Sequence, residues 1–290
     1  MSVLGGAAAG DAATGVGVVK EEPLDADSKW ENFPYWVVLL GLLVAWFGYL
    51  ALFDDNYAVA WERVREGIWL TIQITLWAFA LSLALGLVLG LGRITDLDQN
   101  THWSIRALAV VYRNVSRTYI EFIRGVPILP LIFFLALVII PDLSDAVGKP
   151  NSVDNKWRGI LALAIIYGAY IAEVFRGGIQ SVPKGQMEAG RSLGLSRLGT
   201  LRFVVLPQAM RAIIPPLGND FIAILKDSSL LSVLAIGEIT LRARQYSAGS
   251  FKFREGYVVL IFIYVTLVLA LSFLLNQLEA RMTRDRQGER

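Results

Sequence analysis

Six long apolar blocks, separated by polar or charged segments, limit this chain to folds that place helices across a membrane. The blocks cover residues 36–53, 67–91, 128–140, 157–178, 203–236 and 256–275. A helix satisfies its own backbone polar groups, which a lipid interior cannot do. At about 1.5 Å per residue, the roughly 18 residues of the first block just span a hydrocarbon core about 30 Å thick. The sequence is 55% hydrophobic and 18% charged, with its apolar residues in blocks rather than in the stripes of soluble helices. The predicted fold is all-α, a polytopic membrane protein of about six transmembrane helices embedded in a lipid bilayer.

Where the Lys and Arg residues sit sets the predicted topology. Residues 93–124, 176–202 and 281–290 are Arg-rich, which places them on the cytoplasmic side with both termini. The outer segment 238–255 departs from this pattern with Arg242, Arg244, Lys252 and Arg254, and reads either as a weak point of the topology or as an outer surface that meets a partner. Residues 1–34, rich in Gly, Ala, Asp and Glu, read as a disordered cytoplasmic tail. Residues 35–66 read as an N-terminal transmembrane helix with an outer loop. Arg93, next to Gly92, is expected to hold the end of the second span at the inner surface. Residues 102–124 read as an amphipathic helix along the inner interface or as the wet lower end of a long helix, broken at Gly125 and Pro127. The following span is expected to close at Pro141-Asp142.

Composition excludes several chemistries. The net charge of +2 is too small to argue for nucleic acid, and the absence of cysteine removes disulfides and thiol nucleophiles. His102, the one histidine, has no companion for a metal site or a triad and reads as a surface residue. No phosphate-binding G-x-x-x-x-G-K-[ST] loop occurs. The expectation is a protein without cofactor or enzyme activity of its own that takes energy from another subunit.

The block at 203–236 is interrupted by Pro207, Pro215-Pro216, Gly218-Asn219-Asp220 and Lys226-Asp227-Ser228-Ser229. A broken helix at membrane depth survives only against protein or a water-filled cavity, so this block is expected to face the interior. A charge near the bilayer centre costs roughly 2.5–3.5 kcal/mol on insertion scales. Glu121, Arg124, Glu173, Asn219, Asp220, Lys226, Asp227, Ser228 and Ser229 are therefore the candidate gate or substrate-path residues. Glu173 with Arg176 reads first as a structural pair on one helix face, and Lys226 with Asp227 as a path or as a tie between helices. Thr71, Gln73 and Thr75 read as interhelical hydrogen-bonders, and Gly86, Gly90 and Gly92 as a close-packing stripe.

Between two apolar blocks lies a polar, glycine-punctuated segment, residues 183–207, with Lys184, Arg191, Arg197 and Arg202. Glu188-Ala189-Gly190, Gly194, then Val204, Leu206 and Pro207 resemble the E-A-A-x-x-x-G and I-x-L-P pattern of membrane subunits of bacterial ABC importers. Gly190 and Val204 depart from its commonest form. Y-I-E-F-I-R-G-V-P at 119–127, A-Y-I-A-E-V-F-R-G-G-I-Q-S-V-P-K-G-Q at 169–186 and L-K-D-S-S-L at 225–230 are similar to segments of the polar amino acid permease subfamily.

The resemblance implies a five-helix transmembrane domain over residues 67–280, an added N-terminal helix, and a basic C-terminal tail at 281–290. It implies a coupling loop at 181–207, where Pro183 opens a helix over 186–193 and Gly194 reverses the chain. Lys184, Gly185, Gln186, Glu188, Ala189, Gly190, Ser192, Leu193 and Gly194 would meet an ATPase dimer carrying ATP and Mg. The implied partners also include a second permease, identical or homologous, an extracytoplasmic substrate-binding protein and a polar amino acid, all at a bacterial inner membrane. A secondary amino acid transporter or channel driven by an ion gradient, using Glu173 and Asp227 as proton or cation sites, is the alternative. Such a carrier has no need of the loop.

Overall fold

The computed structural model describes residues 35–94, 102–149 and 152–288. The tail expected at 1–34 and the side chain of Arg93 lie outside the described residues. Among the described residues the regular structure is entirely helical: α1 (Tyr35–Phe53), α2 (Asp55–Arg65), α3 (Ile68–Ile94), α4 (Trp103–Gly125), α5 (Ile128–Phe134), α6 (Ile140–Ala146), α7 (Asn155–Gln180), α8 (Lys184–Ser192), α9 (Arg197–Thr200), α10 (Leu206–Asp227), α11 (Ile239–Ser250) and α12 (Phe253–Gly288). Single π-helical turns, Leu135–Ile139 and Leu201–Val205, join α5 to α6 and α9 to α10, and a 3-10 segment, Ser228–Leu234, follows α10.

Four helical stretches are long and apolar enough to cross a membrane: Asp55–Gly92, Ile128–Ala146, Asn155–Gln180 and Phe253–Ala280, with a shorter apolar helix at Val38–Leu50. Of the six apolar blocks, the one containing α10 is too polar to join them. Burial sorts these helices by role. In its most apolar window α7 is 67% buried against 22% for α12, so α7 is the central post and α12 lies at the rim. Ile160, Leu163, Ile166, Ala169 and Ala172 of α7 form one core with Ile74 of α3, Ile123 of α4, Ile132 of α5, Ile224 of α10 and Leu231 beyond it.

The close approach of α3 to α7 follows from the small residues read in the sequence. A Cβ on Gly86 would stand 2.6 Å from Ile171 Cγ2 and 3.0 Å from the Ala172 backbone nitrogen, and one on Gly90 would stand 3.1 Å from the Ala172 carbonyl oxygen. Gly92 instead accepts the ring of Tyr112 from α4.

A second core gathers Phe47 of α1, Tyr57 and Val64 of α2, Ile239 and Ala243 of α11, and Val259 and Ile263 of α12. Phe47 stacks on Phe262 with ring centroids 3.9 Å apart. The segment expected as an outer loop before residue 67 is thus the helix α2, whose N-terminus Asp54 caps by accepting the Asn56 N–H at 2.9 Å. Residues 238–255 likewise contain a helix, α11. Both bury one side of an otherwise charged sequence, which tertiary packing reveals and charge alone conceals.

Prolines interrupt less than the sequence suggests. The span expected to close at Pro141 continues to Ala146, because the π-helical turn has already displaced the hydrogen-bond ladder where the proline lacks its N–H. The α-helix α10 likewise runs through Pro215 and Pro216, with no π-helical turn beside them. The break in this block falls at Ser228, where the helix tightens, and at Ala235, which is left-handed at φ 57°. Residues 103–125 form the helix α4, separated from α5 by the extended Val126 and Pro127. His102 caps its start, exposed, with Nδ1 2.8 Å from the Ser104 hydroxyl. At the other end of the chain, α12 carries on as helix through the basic residues 281–288.

Candidate functional site

The connection between α7 and α10 folds into a short exposed helix with well-defined ends. Pro183 supplies an extended backbone (φ −56°, ψ 137°) before α8, and its carbonyl accepts the first bond, from the Gln186 N–H at 3.0 Å. At the C-terminus Gly194 adopts φ +85°, a conformation that costs other L-residues about 1–2 kcal/mol. The Leu195 N–H then returns to the Gly190 carbonyl at 3.2 Å, closing the helix end in the manner of a Schellman turn.

Gly190 is the one buried residue of α8. A Cβ there would meet Thr200 Cγ2 at 2.5 Å and Thr200 Oγ1 at 3.1 Å. Thr200 is held in turn by its hydroxyl, which donates to the Ser196 carbonyl at 3.0 Å. The departure from the second alanine of the motif therefore has a steric cause, since α8 lies flat on α9. Gln186 is tied to α10 by the side-chain amide of Gln208 at 3.3 Å. Lys184, Gly185, Gln186, Glu188, Ala189, Arg191 and Ser192 are all exposed. Leu193 and Leu198 are 84% and 74% exposed, an apolar pair at the tip of a polar loop. Leu198 was not among the sequence candidates, because it lies beyond Gly194, outside the helix expected over 186–193.

Within the helix bundle the structure brings some of the candidate polar residues together and separates others. Arg124 of α4 places its Cζ 5.5 Å from the ring centroid of Tyr170. Tyr170 lies 5.7 Å, centroid to centroid, from Tyr167 one turn earlier on α7. The Tyr167 hydroxyl donates to Asp227 Oδ2 at 2.7 Å. A polar line thus runs from α4 across α7 to the end of α10. Asp220, two turns before Asp227 on the same helix, has a shielded Oδ2 without a hydrogen-bond partner. The Ser228 hydroxyl is buried and donates to the Leu225 carbonyl at 2.7 Å, while Ser229 is half-buried.

The other candidates stand off this line. Glu121 pairs with Arg117 at 2.7 Å in an exposed ion pair. Glu173 accepts two hydrogen bonds from Arg176, at 2.8 and 2.6 Å, and Arg176 also reaches Gln180 at 2.5 Å, so the two side chains do pair on one helix face. Lys226 and Asn219 are exposed. Asp227 ties helices through Tyr167 rather than through its neighbour Lys226, because adjacent helical residues diverge by about 100°. Thr71 bonds across helices, accepting the Ile239 N–H at 3.2 Å, whereas Thr75 donates back to the Thr71 carbonyl at 2.8 Å. Tyr167 and Tyr170 were missed as site residues, although their spacing of three on an apolar helix is a readable signal. Among the described residues no group of His, Asp and Glu could hold a metal ion.

Residues 106–284, which include both the α8 turn and the polar line, match the family of binding-protein-dependent transport system inner membrane components. The chain belongs to this family. The glutamine transport system permease protein GlnP of Escherichia coli (strain K12) is 36% identical over 226 residues, covering 77% of this chain and 97% of that protein. The inner membrane amino-acid ABC transporter permease protein YhdY of the same organism is 33% identical over 285 residues, 93% of this chain and 71% of its own length. Among solved structures, an amino acid ABC transporter with histidines resembles this chain with a TM-score of 0.64 and 29% identity, over 81% of this chain and 98% of that one. The protein is thus a permease subunit of the ABC importer class, a transport component of an inner membrane. An ion-gradient carrier is not favoured.

Proposed function

We propose that this permease lines the translocation path of an importer for polar amino acids and that α8 transmits the stroke of a separate ATPase. The observation that carries this reading is α8 itself: a rigid, exposed helix pinned to α9 through Gly190 and to α10 through Gln186. A push on its outer face reaches α10, and α10 ends on Asp227 in the polar line. Lys184, Gly185, Gln186, Glu188, Ala189, Ser192, Leu193 and Gly194 form the face offered to the partner. Leu193 supplies apolar area, and Glu188 a charge for a basic group.

In this reading the ATPase dimer holds ATP and Mg, and a second permease, identical or homologous, completes the path. A substrate-binding protein delivers the amino acid from outside, and both termini lie in the cytoplasm. Residues 67–280 form the transport domain with its coupling loop at 181–207, while 1–34, 35–66 and 281–290 are additions to it. ATP binding draws the coupling helices together, α10 and the segment after it open outward, and hydrolysis resets them. The polar line of Arg124, Tyr170, Tyr167 and Asp227 presents both charges of a zwitterion with partners. The names of relatives that carry glutamine and other amino acids support the substrate class.

Co-purification with the ATPase, followed by ATP hydrolysis and uptake in proteoliposomes with the binding protein and single amino acids, tests the reading. Stimulation by polar amino acids is expected. Uptake by the permease without any ATPase would overturn it.

A further inference from the structure

The chain from Ala189 to Asn219 contains four arginines, Arg191, Arg197, Arg202 and Arg211, and no acidic residue. In its middle, α9 and the π-helical turn after it link two environments. On one side this link carries α8, through Thr200 against Gly190. On the other it runs without a break into α10. It therefore stands where the end of α7, a helix long and apolar enough to cross a membrane, gives way to the exposed loop.

Ser196 caps the start of the link, its Oγ accepting the Gly199 N–H at 3.1 Å. Thr200 and Val205 are buried against the protein, whereas Leu198, Phe203 and Leu206 are 74%, 67% and 42% exposed. Leu198, Arg202 and Leu206 recur every fourth residue and so share one face. Phe203 stands beside them, with the Arg202 guanidinium carbon 5.5 Å from its ring centroid.

The contrast with α8 decides what covers this stripe. The exposed residues of α8 include Lys184, Gln186, Glu188, Arg191 and Ser192, a polar surface suited to water and to a soluble protein. Along the link, from Arg197 to Leu206, the exposed residues are Leu198, Phe203, Leu206 and two arginines. That is the composition of an interfacial helix, which sinks Leu and Phe among acyl chains and keeps Arg at the level of the headgroups. With no carboxylate nearby in the sequence, the two guanidiniums favour an anionic headgroup over a neutral one.

We propose that the link from Arg197 to Leu206 lies in the membrane leaflet on the α8 side, with Leu198, Phe203 and Leu206 among acyl chains and Arg197 and Arg202 on the phosphates of anionic lipids. The joint between α8 and α10 then rests on lipid, while the exposed face of α8 stays open to the ATPase. This adds a lipid partner to the loop and rests on the functional reading only in placing the ATPase on α8.

The sequence contains no cysteine, so single fluorophores can be placed without background. In the permease alone, in vesicles of phosphatidylglycerol and phosphatidylcholine, a fluorophore on Leu198→Cys is expected to be quenched by nitroxide-bearing lipids and shielded from acrylamide in the water. One on Glu188→Cys should behave in the opposite way. Nitroxide-bearing phosphatidylglycerol should quench the Leu198→Cys label at lower mole fraction than nitroxide-bearing phosphatidylcholine. Arg197→Gln and Arg202→Gln should each shrink that preference about fivefold, the size of one basic residue at an anionic surface. Arg202→Lys keeps the charge and should keep the preference, and inorganic phosphate at constant ionic strength should not compete with it.

A Leu198→Cys label open to acrylamide in the permease alone overturns the proposal. Shielding that appears only when the ATPase is added does so too, and gives the stripe to that partner. Equal quenching by the two lipids, or a preference unchanged in both glutamine variants, removes the headgroup site. The decisive readings need neither ATPase nor transport. Failure of ATP-driven uptake in the unsubstituted assembly would therefore strike the functional reading and not this one.

Discussion

The hydroxyl of Tyr167 donates a 2.7 Å hydrogen bond to Asp227 Oδ2, joining the most enclosed helix of the bundle to the last residue of α10. One residue later the helix tightens into its 3-10 segment. In the proposed cycle the bond sits where a stroke arriving through α10 would meet α7. A hydrogen bond to a charged group contributes about 1.5–3 kcal/mol when its loss leaves the charge poorly satisfied. Tyr167→Phe should lower the stability of the purified permease by that order in thermal unfolding. It should also reduce amino acid uptake while co-purification with the ATPase is unchanged. Wild-type uptake in a stable Tyr167→Phe protein would remove the bond from the path.

The contact of Gly190 with Thr200 yields a rescue experiment. Gly190→Ala places a methyl group against Thr200 Cγ2, and overpacking of this kind costs about 1–3 kcal/mol. Thr200→Ser removes Cγ2 and keeps the hydroxyl that bonds the Ser196 carbonyl. Because the two sites touch, their effects are not additive. The double variant should regain most of the ATPase association lost by Gly190→Ala, measured by pull-down and by melting temperature. Equal losses in the single and double variants would place the cause elsewhere.

Glu188 is exposed on α8, so Glu188→Lys leaves the packing of the chain intact while reversing the charge offered to a partner. Expression, membrane insertion and thermal stability should match the unsubstituted permease, since exposed substitutions usually change stability by less than about 0.5 kcal/mol. Association with the ATPase and ATP-driven uptake should both fall. Normal association would show that Glu188 lies off the docking face.

How much of this could be read from the residues depended on whether a signal was local. Pro183 and Gly194 mark the ends of α8 through their own backbone preferences, and Gly86 and Gly90 announce close packing by lacking side chains. Both were legible. Helices α2 and α11 were not, because their charged residues look like loop until Tyr57, Val64, Ile239 and Ala243 are seen to share one core. Pro141, Pro215 and Pro216 suggested breaks, yet a π-helical turn precedes Pro141 and α10 continues through Pro215 and Pro216. Of the polar line, Arg124 and Asp227 were found as charges at depth. Tyr167 and Tyr170 link them only once α4, α7 and α10 are assembled.

The last prediction separates a structural ion pair from a transport residue. Arg176 holds Glu173 through two nitrogens, and the side chains are 32% and 17% exposed. Both lie on α7 beyond the polar line, toward α8. If their work is to steady this end of α7, Glu173→Gln should lower the melting temperature and the yield of assembled transporter. The amino acid concentration for half-maximal uptake should stay unchanged in the protein that does assemble. Arg176→Gln should act in the same direction, and the double variant should cost less than the sum of the two, because a paired interaction is lost only once. A shift in half-maximal concentration without loss of stability would instead put Glu173 in the substrate path. The two outcomes differ because helix packing governs how much transporter exists, whereas contact with substrate governs how tightly each copy binds.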